Sequence, residues 1–244
     1  MLQKISIVAR IFVVVLFIYS VLFSIVGTVF IIKAHSYIFG AIDDVHAMRE
    51  SEPAMSNFMK DLVDSNPKVQ IKHTFVPLDS ISKKLQHAVI AVEDPSFYFH
   101  PGVDIRNIVT AVDANVSSGK LLYGGSTITQ QLAKNLFLTG ERTWERKVKE
   151  LGYAVVMEWE LGKDRILEMY LNYAQWGKDI FGCEAASEAY YGVHCSELNQ
   201  QQAINLAAML ASPCNHKPDE ESSFLQTRRR NIQRRLENTR QGLP

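Results

Sequence analysis

The stretch ISKKLQHAVIAVEDPSFYFH, residues 81–100, carries the first decision about this chain. Ile81, Leu85, Ala88, Val89 and Val92 recur at helical spacing and fall on one face. Asp79 or Ser80 is the expected cap. Pro95 disfavours the α conformation at Asp94, so the helix is expected to end near Glu93. Two adjacent carboxylates then stand where an apolar helix meets a turn rich in aromatic residues. Partial burial and the negative end of the helix both favour a proton on such a carboxylate, which suits a general acid or base. The plain alternative is that Glu93 and Asp94 only bond the amides of the turn, and on this stretch alone it is the simpler reading.

Working outward, the helical pattern persists. Further helices are expected at 104–117, 127–137, 143–161, 163–174, 182–191, 197–211 and 224–238, and Ile71–Val76 reads as a short strand. The globular part is therefore expected to be mainly α. Towards the N-terminus, residues 11–32 read IFVVVLFIYSVLFSIVGTVFII and hold no charge. At 1.5 Å per residue this run spans roughly 33 Å, enough for a bilayer core. A cleaved signal peptide would have a shorter apolar region and a small-x-small site, so an uncleaved transmembrane helix is expected. Lys4 and Arg10 precede it and Lys33 follows, which places residues 1–10 in the cytoplasm as a short tail and the rest outside. Residues 33–70 read as a juxtamembrane connection with some helix around Met55–Val63, and 71–244 as the catalytic domain.

Bulk charge excludes little. Lys+Arg and Asp+Glu both total 26 in 244 residues, which gives no argument for nucleic acid. The arginines of 228–240 are read as pairing with acids or anionic lipid. Cys183, Cys195 and Cys214 lack metal-ligand spacing and are expected to be ordinary thiols. His73, His87 and His194 are read as surface or packed residues.

Two other stretches could carry chemistry. In YGGSTITQQLAKN, residues 123–135, Gly124 and Gly125 permit unusual backbone angles and Ser126 or Thr127 can cap a helix. Gln130, Gln131, Lys134 and Asn135 then offer amides and an ammonium suited to sugar hydroxyls and phosphate. In ERTWERKVKELGYAVVMEW, residues 141–159, Trp144, Val148, Leu151 and Val155 make one apolar face. Arg142, Arg146, Lys147 and Lys149 crowd the first turns, with Glu150 one turn on. Ion pairs within the helix are the bland explanation. Cations near a helix N-terminus oppose its dipole, however, so an anionic ligand is the reading preferred here.

Together these stretches resemble the monofunctional peptidoglycan glycosyltransferases, which share their catalytic domain with bifunctional penicillin-binding proteins. The resemblance runs from about Thr74 to Leu236, through EDPSFYFHPGVD (93–104), GGSTITQQLAKN (124–135), RKVKE (146–150), KDRILEMYLN (163–172), FGCEAASEAYYG (181–192) and the RRRNI region near 228–232. It implies a mainly α, lysozyme-like, two-lobed glycosyltransferase domain. The implied reaction polymerises lipid II into β-1,4-linked glycan strands, with inversion at the anomeric carbon and release of undecaprenyl pyrophosphate.

By the same resemblance Glu93 is the general base and Glu150 the second catalytic carboxylate, near the departing pyrophosphate. Asp94, Ser126, Gln130, Gln131, Lys134, Asn135, Arg142, Lys147 and Lys149 become substrate-binding residues. A divalent cation, Mg or Mn, is expected near Glu93, Asp94 and Glu150, and no organic cofactor. Expected partners are lipid II, the growing strand, the bacterial cytoplasmic (inner) membrane and division or wall-synthesis proteins, but no nucleic acid. Glu168, Tyr170 and Asn172 are expected to organise the cleft, and His100 to serve a structural hydrogen bond. Penicillin binding is not expected. Two departures stand out: Gln202 where the family more often has glutamate, and His216 where it usually has tyrosine. A lysozyme-like glycan hydrolase and an inactive anchored scaffold are the alternatives. The cationic set favours a pyrophosphate-leaving transferase over the hydrolase.

Overall fold

Helix formation begins almost at the N-terminus and does not stop where the apolar run stops. The computed structural model describes residues 7–118, 124–138 and 143–240. It divides into two units, residues 1–44 and 45–244. The first is built on helix α1, Ile7–His46, whose apolar stretch Ile11–Val29 has a mean hydropathy of 2.6 and is long enough to cross a membrane. The helix therefore runs on through residues 33–46, which carry no proline to break it.

The second unit is almost entirely helical. Its elements are α2 (Asn57–Ser65), α3 (Lys83–Glu93), α4 (Ile105–Ser118), α5 (Ile128–Phe137), α6 (Trp144–Glu160), α7 (Gly162–Tyr173), α8 (Cys183–Tyr191), α9 (Gln200–Met209) and α10 (Ser223–Arg240). These match the expected helices to within three residues at each end. The expected strand shrinks to β1, Lys72–His73, which pairs in parallel with β2, Ile180–Phe181. Neither Asp79 nor Ser80 caps α3. Leu78–Ser80 form a 3₁₀ turn, and the Gln86 amide ties it down by donating to the carbonyls of Leu78 (3.0 Å) and Ile81 (2.9 Å).

Two packing groups position the site. Helix α3 lies against α9 and α10, while α5 lies against α6, α7 and α2. Helices α7 and α9 are the most buried: Ile166, Leu167 and Met169 on one and Leu206–Met209 on the other are sealed from solvent. Each such Leu, Ile or Met contributes about 1.5–3 kcal/mol of transfer free energy. Asn172 on α7 exchanges two hydrogen bonds with Val76 (both 2.9 Å), and Glu168 accepts from the Leu78 amide at 2.7 Å. The approach to α3 is thereby fixed to α7. Gly182, at φ 82°, opens α8 where a Cβ would stand 2.6 Å from the Asn172 carbonyl oxygen, so no other residue fits there.

The expected apolar face of α6 does not face the core. Trp144, Val148 and Val155 are 88%, 66% and 55% exposed, and Trp159 is 86% exposed. The buried face carries Glu150, Tyr153, Ala154 and Met157, with Tyr153 stacked on Phe137 of α5 at 4.3 Å. Periodicity located a stripe correctly but could not say what the stripe meets. The departure at Gln202 is structurally benign. It closes a capping box on α9, in which Asn199 Oδ1 accepts from the Gln202 amide and Gln202 Oε1 accepts from the Asn199 amide, both at 3.0 Å. Glutamate would make the same bond.

Candidate active site

Glu93 is the last residue of α3. The Asp94 amide closes the helix on the Ile90 carbonyl at 3.0 Å, and Pro95 prevents continuation. At that end the Glu93 carboxylate is held from two other elements. Its Oε2 accepts from Gln131 Nε2 of α5 at 3.0 Å, and its Oε1 from Arg228 Nη2 of α10 at 2.8 Å. The apolar wall expected around Glu93 is thus replaced by an amide and a guanidinium.

Each partner is itself anchored. Gln131 Oε1 accepts from the Tyr170 hydroxyl at 3.0 Å. Burial, and then the charge of Glu93, raise that hydroxyl well above its ordinary pKa, so it stays a donor. Arg228 Nε donates to the Ala208 carbonyl at 2.8 Å, and its guanidinium stands over the Phe224 ring. Sequence reasoning placed the 228–240 arginines against acids or lipid. Arg228 goes to the central acid of the site, and the only signal for this was the RRRNI segment itself.

Asp94 points the other way. It is fully buried, accepting from His100 Nε2 at 2.9 Å and from the Ile128 amide at 3.1 Å. Burial raises its carboxyl above the usual range, against the opposing pull of His100 and the Ile128 amide. Asp94 therefore joins the turn after α3 to the start of α5 and does not reach the cleft. Gln130 is also buried. With Thr127 it forms a capping box, Thr127 Oγ1 accepting from the Gln130 amide at 3.2 Å and Gln130 Oε1 accepting from the Thr127 amide at 2.9 Å. Thr127 rather than Ser126 is the cap, which leaves the Ser126 hydroxyl for the cleft. Gly125 does not adopt left-handed angles. Smallness is what matters there, since a Cβ would lie 3.0 Å from Ile108 Cα.

Glu150, on α6, is 3% exposed. Arg146 Nη1 donates to it at 3.0 Å and Lys147 Nζ closes on its other oxygen, while Lys147 also donates to Ser126 Oγ at 3.2 Å. Lys149 pairs with Glu145 at 2.8 Å. The ion pairs judged less favourable from residue order do form, because Glu150 is buried and two cations share it. That local set of two cations and one carboxylate keeps a net positive charge facing Ser126. Lys134 is exposed on α5 and Asn135 half-buried. Arg142 lies outside the described residues.

An open cleft of about 440 Å³ collects these groups. Glu93, Gln131 and Arg228 line it together with Gly124 and Ser126, and Val92, Ala211, Ser212, His216 and Phe224 complete it among the described residues. Of the expected site residues, Glu93, Ser126 and Gln131 meet there, with Lys147 and Glu150 attached through Ser126. Arg228, Tyr170 and His216 are the additions that only the structure supplies. The three carboxylates expected near a metal do not come close enough together to share one ion. Glu93 and Glu150 are engaged by cations or amide donors, and Asp94 by a histidine and a backbone amide. Among the described residues, the group close enough to share an ion is Glu184, Glu188 and His194, and none of these lines the cleft.

A mainly helical domain with a carboxylate gripped at the edge of a polar, cation-bearing cleft defines a class suited to group transfer with an anionic leaving group. The sequence model of the family described as Transglycosylase matches residues 60–237. Similar curated proteins include the biosynthetic peptidoglycan transglycosylases of Janthinobacterium sp. (strain Marseille) and Herminiimonas arsenicoxydans. Each is 43% identical over 188 residues, covering 75% of this chain and 81% of the relative. That of Chromobacterium violaceum is 42% identical over 192 residues, covering 77% of this chain and 84% of the relative. The chain belongs to the transglycosylase family and is an enzyme of glycosyl transfer.

Proposed function

We propose that this enzyme is a peptidoglycan glycosyltransferase that joins lipid II units into β-1,4-linked strands, with inversion at the anomeric carbon and release of undecaprenyl pyrophosphate. The observation that carries the reading is the grip on Glu93. A carboxylate that accepts from Gln131 on one oxygen and Arg228 on the other is held at one position at the edge of the cleft, which a general base requires. Glu93 takes the proton from the acceptor 4-hydroxyl as that oxygen attacks the anomeric carbon. The bond from that carbon to the pyrophosphate oxygen breaks, and the pair leaves with the phosphate. Lys147, beside Ser126, stands where it can offset the charge that develops. Glu150 holds Lys147 and Arg146 in place. A divalent cation, when bound, would supply further charge neutralisation for the pyrophosphate, with Glu93 and Glu150 as the cleft carboxylates that could hold it.

The apolar helix α1 supports anchoring in the cytoplasmic membrane, and Lys4 and Arg10 ahead of it support a cytoplasmic N-terminus with the domain outside. Exposed Trp144, Val148, Val155 and Trp159 on α6 fit an enzyme that works on a lipid-linked substrate at a bilayer surface.

The test uses full-length protein in detergent with labelled lipid II and a divalent ion, beside Glu93→Gln and Glu150→Gln variants that retain the wild-type helical signal. Wild type is expected to make long strands that muramidase digests. Glu93→Gln should lose activity by roughly 10²–10⁴-fold, the range of general base catalysis. Glu150→Gln is expected to fall less steeply. Sugar release from finished wall, with no growth from lipid II, would sink the polymerase reading.

A further inference from the structure

The part of the cleft wall nearest α10 is built from two flat rings. His216 and Phe224 stack with centroids 5.0 Å apart and planes at 16°. The His216 side chain is 21% exposed and lines the same cleft as Glu93, Gln131 and Arg228. Its Nδ1 lies 3.2 and 3.3 Å from the two carboxylate oxygens of Glu220. Glu220 is fixed in turn by the Lys217 amide, which donates to it at 3.2 Å.

An ionised carboxylate only accepts, so a ring proton of His216 sits on Nδ1, and Nε2 is the ring nitrogen that Glu220 does not engage. The Arg228 guanidinium stands 5.9 Å from the centre of the Phe224 ring and reaches Glu93. A series of contacts therefore joins His216 and Phe224 through Arg228 to the proposed base. The charged groups around the imidazole are Glu220 beside it and Arg228 across Phe224. Stacked rings with one ring nitrogen left over, next to a carboxylate, are better matched to the apolar C–H face and polar rim of a sugar than to a phosphate.

We infer that His216 is a specificity-determining residue of the transfer site, its Nε2 sharing a hydrogen bond with a hydroxyl or acetamido group of a substrate sugar that lies against the His216–Phe224 pair. The inference rests on the reading of this cleft as the lipid II site. It also gives the departure from tyrosine a meaning: the aromatic ring is kept, and a hydroxyl that rotates is exchanged for a ring nitrogen of fixed direction.

Initial rates against lipid II concentration for full-length wild type, His216→Phe and His216→Tyr decide it, with melting temperatures confirming comparable stability. Phenylalanine keeps the stack on Phe224 and removes both ring nitrogens, so Glu220→Gln, which leaves Nε2 in place, is measured beside it and should keep KM within about twofold of wild type. The KM of His216→Phe is expected to rise roughly three- to tenfold, the size of one neutral hydrogen bond, with kcat changed by less than about twofold. His216→Tyr restores a polar edge and should return KM to within about twofold of wild type. An unchanged KM for His216→Phe, or equal impairment of the Phe and Tyr variants, would overturn the sugar contact while leaving the polymerase reading intact. A wild type that makes no polymer from lipid II overturns both.

Discussion

Glu93 and Glu150 are two carboxylates attached to one cleft and held by opposite means. Glu150 is gripped from its own helix, by Arg146 and Lys147, four and three residues earlier. Glu93 is gripped from elsewhere, by Gln131 and Arg228, 38 and 135 residues away in sequence. A local grip forms wherever α6 forms and depends little on the rest of the fold. A distant grip exists only when α3, α5 and α10 are all in place, so the base is assembled last and is sensitive to small shifts in any of the three. The difference fits the proposed roles. A proton acceptor must meet its substrate at a fixed position, whereas a counter-ion for lysine need only stay nearby.

This contrast can be broken by experiment. Arg228→Gln removes the charged partner of Glu93 and is expected to lower kcat/KM about 10- to 100-fold, as loss of a charge-assisted hydrogen bond implies. A change below threefold would mean that Arg228 shapes α10 but does not support the base. Tyr170→Phe acts one step further out. It leaves Gln131 in place without its anchor and should cost roughly two- to tenfold in rate, with the melting temperature little altered. If rate and stability fall together, Tyr170 serves the core and not the base. On the local side, Glu145→Gln removes the charge that pairs with Lys149 at the exposed side of α6 and is expected to change stability by about 0.3–0.5 kcal/mol, measured by denaturant midpoint at constant slope. A larger loss would show that the ion pairs of α6 are not independent of one another.

Much of this was legible beforehand, and the pattern of success follows the same division. The end of α3 at Glu93 could be read because Pro95 acts on its immediate neighbour. The cap at Thr127 and the apolar span of α1 are likewise interactions between residues a turn or less apart, or sums over one segment. The ion pairs of α6 are equally local, yet the sequence reading sets them aside in favour of an anionic ligand. What could not be read in advance required knowing what lies across space. Asp94 is grouped with the substrate contacts by the resemblance, but the approach of His100 and the Ile128 amide buries it. Gln130 is grouped there too, although its oxygen closes the α5 cap. Periodicity marks the apolar stripe of α6 without saying which way it faces, and Tyr153 stacking on Phe137 turns the opposite side inward.

The sequence by itself determined that the chain is mainly helical, that it begins with a membrane-length apolar helix, and that its motifs belong to glycosyl transfer. Those properties reside in short-range periodicity, capping and residue order, which one strand of letters contains. The tertiary structure decided that Arg228 reaches Glu93, that Tyr170 steadies Gln131, and that His216 with Phe224 walls the same cleft. Those contacts join residues tens to more than a hundred positions apart. Their geometry is set by how α3 packs with α9 and α10 and how α5 packs with α7, and no local pattern records it.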